Sequence, residues 1–342
     1  MRFGRGDKVR LLALVVTAIA GVATLATFAP GRGSASIGTG IVTITTQLGY
    51  QDGEAAGTGI VMTSSGRVLT NNHVIANATS VTVSVPGTGH SYRGRVTGYD
   101  LGGDVAVVQL QGASNLTTAS LDPSAKVSVG QKVHAIGNAG GTGSLKSAYG
   151  SITGTGRAIT ASDSQGGTSE RLAGLIETNA GVIAGDSGGP LLNASGHVIG
   201  VVTAASTTGP FGFAQTPASD AFAIPIGKAL TIAKAITAGK SSAAVHVGPT
   251  AFLGVQVAAP DAGSVTSSGA VIVETVNGGP ADAAGLAPGD VITGIDGRTV
   301  SSPASVTAYI LTKKPGAKVS IRYVDAAGTH AVTVTLGSGP PH

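Results

Sequence analysis

In AGDSGGPLL, which runs from Ala184 to Leu192, three glycines surround Ser187, Asp186 precedes it and Pro190 closes the group. The letters fit G-x-S-x-G, the strand–turn–helix elbow of an α/β fold. They also fit a tight turn between two β-strands. The residues after the serine separate the two readings. Pro190 opens PLLNASGHVIGVVTA, two apolar runs that turn at Asn193–Gly196, so a hairpin rather than a helix comes next. An elbow also needs an acid and then a histidine later in the chain, and no good pair occurs there.

Working outward, the same alternating pattern recurs on both sides. IVTITTQ (Ile41–Gln47) alternates, and GTGIVMTSSGRVLTNN reads as two strands joined at Ser65–Gly66. SVTVSV (Ser80–Val85), DVAVVQL (Asp104–Leu110), KVHAIG (Lys132–Gly137), LAGLIET (Leu172–Thr178) and AFAIPI (Ala221–Ile226) come next. Many short strands without βα alternation predict an antiparallel barrel or sandwich. From Gly227 the period becomes helical, with Gly239 as the stop. Residues 240–250 read as a linker. A second β-rich unit begins at AFLGVQV; it holds a helix-capable PADAAGL, a strand DVITGI, a turn at Asp296–Gly297 and a helix with Ser302 as N-cap and Pro303 at its first position. KVSIRYV and HAVTVTL close it.

A serine hydroxyl attacks well only when a histidine takes its proton and an acid fixes that histidine. Upstream of Ser187, His73 ends the strand in LTNNHVI and Asp104 opens DVAVVQL. The order His, Asp, Ser is that of the two-barrel peptidases. Taken singly, each residue has a plainer role: His73 as a polar loop residue, Asp104 as a strand-start cap with Asp100 as its competitor, Ser187 as one member of a glycine turn. Their joint occurrence at strand ends points to chemistry.

GTGIVMTSSGRVLTNNHVI, DVAVVQL, GDSGGPLLNASGHVIGV and FAIPI together resemble the HtrA (Deg) family of serine proteases over about residues 40–337. The VTITTQLGYQ, GDSGGP and VHVGPTAFLG segments are most similar to its secreted mycobacterial, PepA-type branch. The resemblance implies a mainly β protein: a chymotrypsin-like double β-barrel protease domain over residues 36–239, the linker, and one PDZ domain over 251–338. It implies His73 as general base, Asp104 as its orienting acid and Ser187 as nucleophile, with the N–H groups of Gly185 and Ser187 as oxyanion hole. The substrate pocket would be floored by Gly181 and walled by Thr203–Ala204–Ala205; none is charged, which favours small or medium apolar side chains. Phe252, Leu253, Gly254 and Val255 match the loop by which a PDZ domain grips a peptide C-terminus. Unfolded proteins or peptides are the expected substrates, and a homotrimer is a family expectation that only Phe28 and Tyr50 support locally. Most family members carry Asn where this chain has Asp186. No basic residue precedes Ile41, so activation by a tryptic cut there is not expected, and Asp186 is read as a brace that accepts local backbone hydrogen bonds.

Composition sets the remaining bounds. Four cations less Asp7 in the first ten residues supply +3 of the net +4, so no basic surface for nucleic acid is expected. That basic start precedes the 19-residue uncharged run Leu11–Ala29, so residues 1–35 are expected to be an export signal or a signal anchor, with membrane anchoring through residues 11–29 in the second case. Everything after Ala35 would then work outside the cytoplasm. The chain has no cysteine and no His-Glu-x-x-His, so neither disulfide, metal nor other cofactor is expected.

Overall fold

The computed structural model describes residues 38–50, 53–162, 169–205, 220–261, 264 and 266–341, and the side chains of 161–162, 169–170 and 204–205 are not considered. The expected export or anchor segment, residues 1–35, lies outside these. Among the described residues no helix is long and apolar enough to cross a membrane.

Six strands form the first barrel: β1 (Ile41–Leu48), β2 (Gly53–Val61), β3 (Arg67–Thr70), β4 (Ser80–Val85), β5 (His90–Asp100) and β6 (Val105–Leu110). They run β4-β1-β2-β3-β6, and β5 closes the ring by pairing with β4 along its first half and β6 along its second. A short helical turn, α1 (Asn72–Ile75), leaves β3. The second barrel is β7 (Lys132–Gly137), β8 (Lys146–Ser162), β9 (Ser169–Thr178), β10 (Pro190–Asn193), β11 (Val198–Ala205) and β12 (Ala221–Pro225), closed in the order β10-β11-β12-β9-β8-β7. The hairpin expected after Pro190 is β10–β11.

Apolar residues on alternate strand positions turn inward, which is why the period of two predicted these strands. Ile60, Leu69, Val105 and Val107 of the first barrel share one core with Leu192, Val201 and Ile224 of the second. Helix α2 (Ile226–Thr237) lays Ile226, Ala229, Ala233 and Ile236 on it, the 3–4–3 spacing of a helix face. The two barrels are therefore held at a fixed seam, and the catalytic candidates sit along it.

The 240–250 stretch is not all free chain: β13 (Val245–Val247) pairs with β5, and Val245 is buried. The second unit starts with β14 (Thr250–Phe252), β15 (Val255–Ala258), β16 (Ala270–Thr275) and the turn α3 (Pro280–Ala283). It continues through β17 (Val291–Ile295), β18 (Arg298–Thr299), α4 (Pro303–Ile310), β19 (Lys318–Asp325), β20 (Gly328–Thr335) and β21 (Gly337–Gly339). One sheet runs β15-β16-β17-β19-β20, while β14 pairs with β21. Asp296 and Gly297 both take positive φ, 48° and 78°, as a two-residue hairpin turn requires. Ser302 and Ser305 form a capping box around Pro303 at the head of α4.

Candidate active site

His73 sits in α1, immediately beyond β3, and its ring is about half exposed. Asp104 stands at the mouth of β6 with φ 48°, a left-handed conformation that Asp tolerates better than most residues. The turn that presents it is shaped by its competitor: Asp100 accepts the Gly103 N–H at 2.8 Å, and Asp104 N–H donates to Leu101 O at 2.9 Å. The acid that faces His73 is Asp104. Its Oδ2 lies 2.9 Å and its Oδ1 3.1 Å from His73 Nδ1, and Oδ1 also accepts the His73 backbone N–H at 3.0 Å. A carboxylate accepts, so Nδ1 is the ring nitrogen that donates to it, and in the neutral imidazole the lone pair is then on Nε2. Asn71 Nδ2 donates to the Asp104 carbonyl at 2.8 Å, and Thr203, from β11 of the other barrel, donates its hydroxyl to Asp104 Oδ2. Thr203, expected as pocket wall, is buried and spends its side chain on Asp104.

Ser187 lies on the loop between β9 and β10, partly exposed, on the second barrel's side of the seam. The loop is fixed peptide by peptide. Gly140 N–H donates to Ala184 O at 2.7 Å; Gly189 N–H donates to Asp186 O at 2.9 Å. In a trans peptide the carbonyl and the following N–H point opposite ways. Anchoring those two carbonyls therefore aims the N–H groups of Gly185 and Ser187 away from the loop's supports, and neither donates to any described residue. Gly185 has φ 94°, and a Cβ there would come 2.2 Å from Asn138 O, so only glycine fits. Ser187 O accepts the Thr58 N–H at 2.8 Å, which ties the loop to β2 of the first barrel. Gly57 lets that approach happen: a Cβ on it would reach 2.6 Å from Val74, the neighbour of His73, and 3.3 Å from Ser187 O.

Asp186 is buried. Its Oδ2 accepts the Ile183 N–H at 2.9 Å, while its Oδ1 has no partner among the described residues and lies against Gly137. Burial pushes its pKa up to about 6, opposed by the Ile183 hydrogen bond and the charge of Lys146. Ile41 N–H donates to Gly38 O.

Gly181 is half-buried six residues before Ser187, and Ala205 ends β11 opposite Ala221. In the second unit, Leu253 is buried and Gly254 has φ 80°. Their carbonyls accept from Ala281 and Val276, whereas their N–H groups donate to no described residue. Val255 opens β15, opposite Thr275. Phe252 stacks on Tyr50 at 5.3 Å, so the aromatic residue counted toward a trimer contact is engaged within its own chain.

Two closed antiparallel barrels with a histidine–aspartate pair on one and a serine in a glycine loop on the other define a trypsin-like architecture. Residues 57–201 match the trypsin-like peptidase domain family and residues 251–336 the PDZ domain family. The chain combines a trypsin-like peptidase domain with a PDZ domain, and its homologues are the HtrA/Deg serine proteases. Serine protease PepD of Mycobacterium tuberculosis is 36% identical, over 87% of this chain and 63% of its own. Periplasmic pH-dependent serine endoprotease DegQ of Escherichia coli is 32% identical, over 83% and 59%. The chain thus spans about six-tenths of the length of the curated relatives it matches. A solved structure of the HtrA-type protease AlgW with tripeptide is 28% identical, covers 89% of this chain and 95% of that one, and superposes with a TM-score of 0.51.

His73, Asp104, Ser187 and Gly185 are all legible in the sequence. Thr58, Asn138 and the engagement of Thr203 are not. Only the Gly57–Thr58–Gly59 spelling, a polar residue between two glycines at the buried end of a strand, hints at one of them.

Proposed function

We propose that the protein is an extracytoplasmic, ATP-independent serine endopeptidase acting on unfolded proteins or peptides. The observation that carries this reading is the hydrogen-bonded His73–Asp104 pair on one barrel together with a serine loop, tied to that barrel through Thr58, whose Gly185 and Ser187 N–H groups donate to no described residue. In the proposed mechanism His73 Nε2 takes the Ser187 Oγ proton as Oγ adds to the scissile carbonyl carbon. Asp104, held by Thr203 and Asn71, keeps the imidazole in the required tautomer and balances the imidazolium charge. The Gly185 and Ser187 amides receive the oxyanion, His73 then protonates the departing amine, and water releases the acyl group by the same steps. A fluorophosphonate probe is expected to label the wild type and to fail on Ser187→Ala and His73→Ala. Absence of label on fresh wild type would favour a protease-shaped protein that holds chains without cutting them.

Glycine at 181 and the small neutral residues Ala204 and Ala205 leave a basic side chain without a counter-ion. The preferred residue before the cut is a small or medium apolar one, such as Ala, Val, Ile or Leu. A peptide library cleaved strictly after Arg or Lys would sink that assignment. The free amides of Leu253 and Gly254 suit capture of a peptide C-terminal carboxylate, with the peptide adding as a strand beside β15; amidating the C-terminus of a bound peptide should then weaken it. The periplasmic placement of relatives such as DegQ supports work outside the cytoplasm. N-terminal sequencing of the exported protein distinguishes a cleaved signal from a retained anchor.

A further inference from the structure

We propose that Thr58 is a positioning residue for the oxyanion hole: its hydroxyl locks the peptide between the two amides that would receive the oxyanion. The proposal rests on the serine-peptidase reading above and goes beyond it. Gly185 and Ser187 are separated by one peptide unit, Gly185 C=O to Asp186 N–H. If that unit rotates, the two neighbouring amides cannot converge on one oxygen. Thr58 Oγ1 donates to Gly185 O at 2.7 Å and accepts the Asn138 N–H at 2.9 Å. Its one proton and an acceptor site are thus both used, and the direction of the proton is fixed by the Asn138 donor.

The rest of Thr58 serves the same loop. Its N–H donates to Ser187 O at 2.8 Å, and its own carbonyl is held by Thr70 Oγ1 at 2.7 Å. Thr58 is fully buried, so no water competes for these bonds. Asn138 extends the clamp: its Oδ1 accepts from Gly143 N–H at 2.7 Å, and its carbonyl accepts from Gly141 N–H at 2.7 Å. One residue of the first barrel therefore grips both sides of a loop on the second. Ile183 holds the other end of the same peptide: its carbonyl accepts the Asp186 N–H at 3.1 Å and its N–H donates to Asp186 Oδ2 at 2.9 Å, while the Gly185 carbonyl itself is held by Thr58.

Replacing Thr58 by Val keeps shape and removes only the hydroxyl. Direct loss of an oxyanion donor costs about 10²–10³ in rate, so loss of its brace should cost about 10–100-fold in kcat. The full-length protein is assayed on fluorescein-labelled casein, with active sites counted by fluorophosphonate so that misfolded molecules drop out. Thr58→Val should lower kcat per labelled site about 10–100-fold with KM within about twofold, and weaken inhibition by a peptide boronic acid, whose tetrahedral adduct uses the same amides. Thr58→Ser, which keeps the hydroxyl, should stay within about threefold of wild type. Should Thr58→Val fail to fold, Thr58→Cys replaces it; a weakly donating thiol should give a kcat between the serine and valine outcomes. A kcat per site equal to wild type in Thr58→Val or Thr58→Cys, or an equal fall in Thr58→Ser, overturns the proposal. Unlabelled wild type would instead defeat the peptidase reading itself.

Discussion

Asp186 immediately precedes Ser187, and its surroundings explain what a carboxyl does there. One oxygen is used by Ile183 N–H; the other is buried against Gly137 without a partner among the described residues. A charge in that position is disfavoured, and the folded carboxyl holds its proton up to pH about 6, against 3.8 for the free side chain. Between those values the folded state binds more protons than the unfolded one, so stability falls as pH rises through this window and stays lower above it. The difference corresponds to at most about 2–3 kcal/mol. Asp186→Asn keeps an acceptor for Ile183 and removes the charge. We expect it to raise Tm relative to wild type more at pH 8 than at pH 4.5, with labelling of Ser187 retained. Equal Tm differences at the two pH values would show that the carboxyl does not titrate there. Loss of labelling would show that the charge itself, rather than the brace, is needed.

At the level of elements, legibility depended on apolar alternation. IVTITTQ, SVTVSV and DVAVVQL announce β1, β4 and β6 because each alternates or forms a continuous buried run. Strands β5 and β8 went unread. HSYRGRVTGYD and KSAYGSITGTGRAITAS are polar and glycine-broken; they are strands because both edges are paired, and irregular register at Gly154 and Arg157 takes up their glycines. Such pairing is a property of partners far away in sequence. The site divides the same way. His73, Asp104 and Ser187 were readable because reactive residues sit in local spellings. Thr58 acts on Gly185 127 positions later and Thr203 on Asp104 99 positions earlier, so nothing in their immediate neighbours discloses the contact. The 240–250 stretch reads as spacer from its Ser, Gly and Pro content, yet Val245–Val247 pairs with β5 as part of the first barrel's sheet.

Over the whole molecule, the PDZ unit is joined to the first barrel by small, distinct contacts. Tyr50 stacks on Phe252, Tyr99 and Thr250 hydroxyls lie 3.2 Å apart, and Asn77 N–H donates to Pro341 O. Tyr50 is half exposed, so this stack is the easiest of the three to remove cleanly. Tyr50→Ala should speed hydrogen exchange across residues 248–252 while leaving exchange in β1–β4 unchanged. Unchanged exchange at 248–252 would mean that the stack contributes nothing to holding the two units together.

The seam between the barrels also sets a schedule. A chain made from its N-terminus presents His73 and Asp104 early, but the bond that steadies Asp104 comes from Thr203, and Ser187 lies on the later barrel. In the proposed peptidase the site therefore stays incomplete until about two hundred residues have emerged and the second barrel has closed on the first.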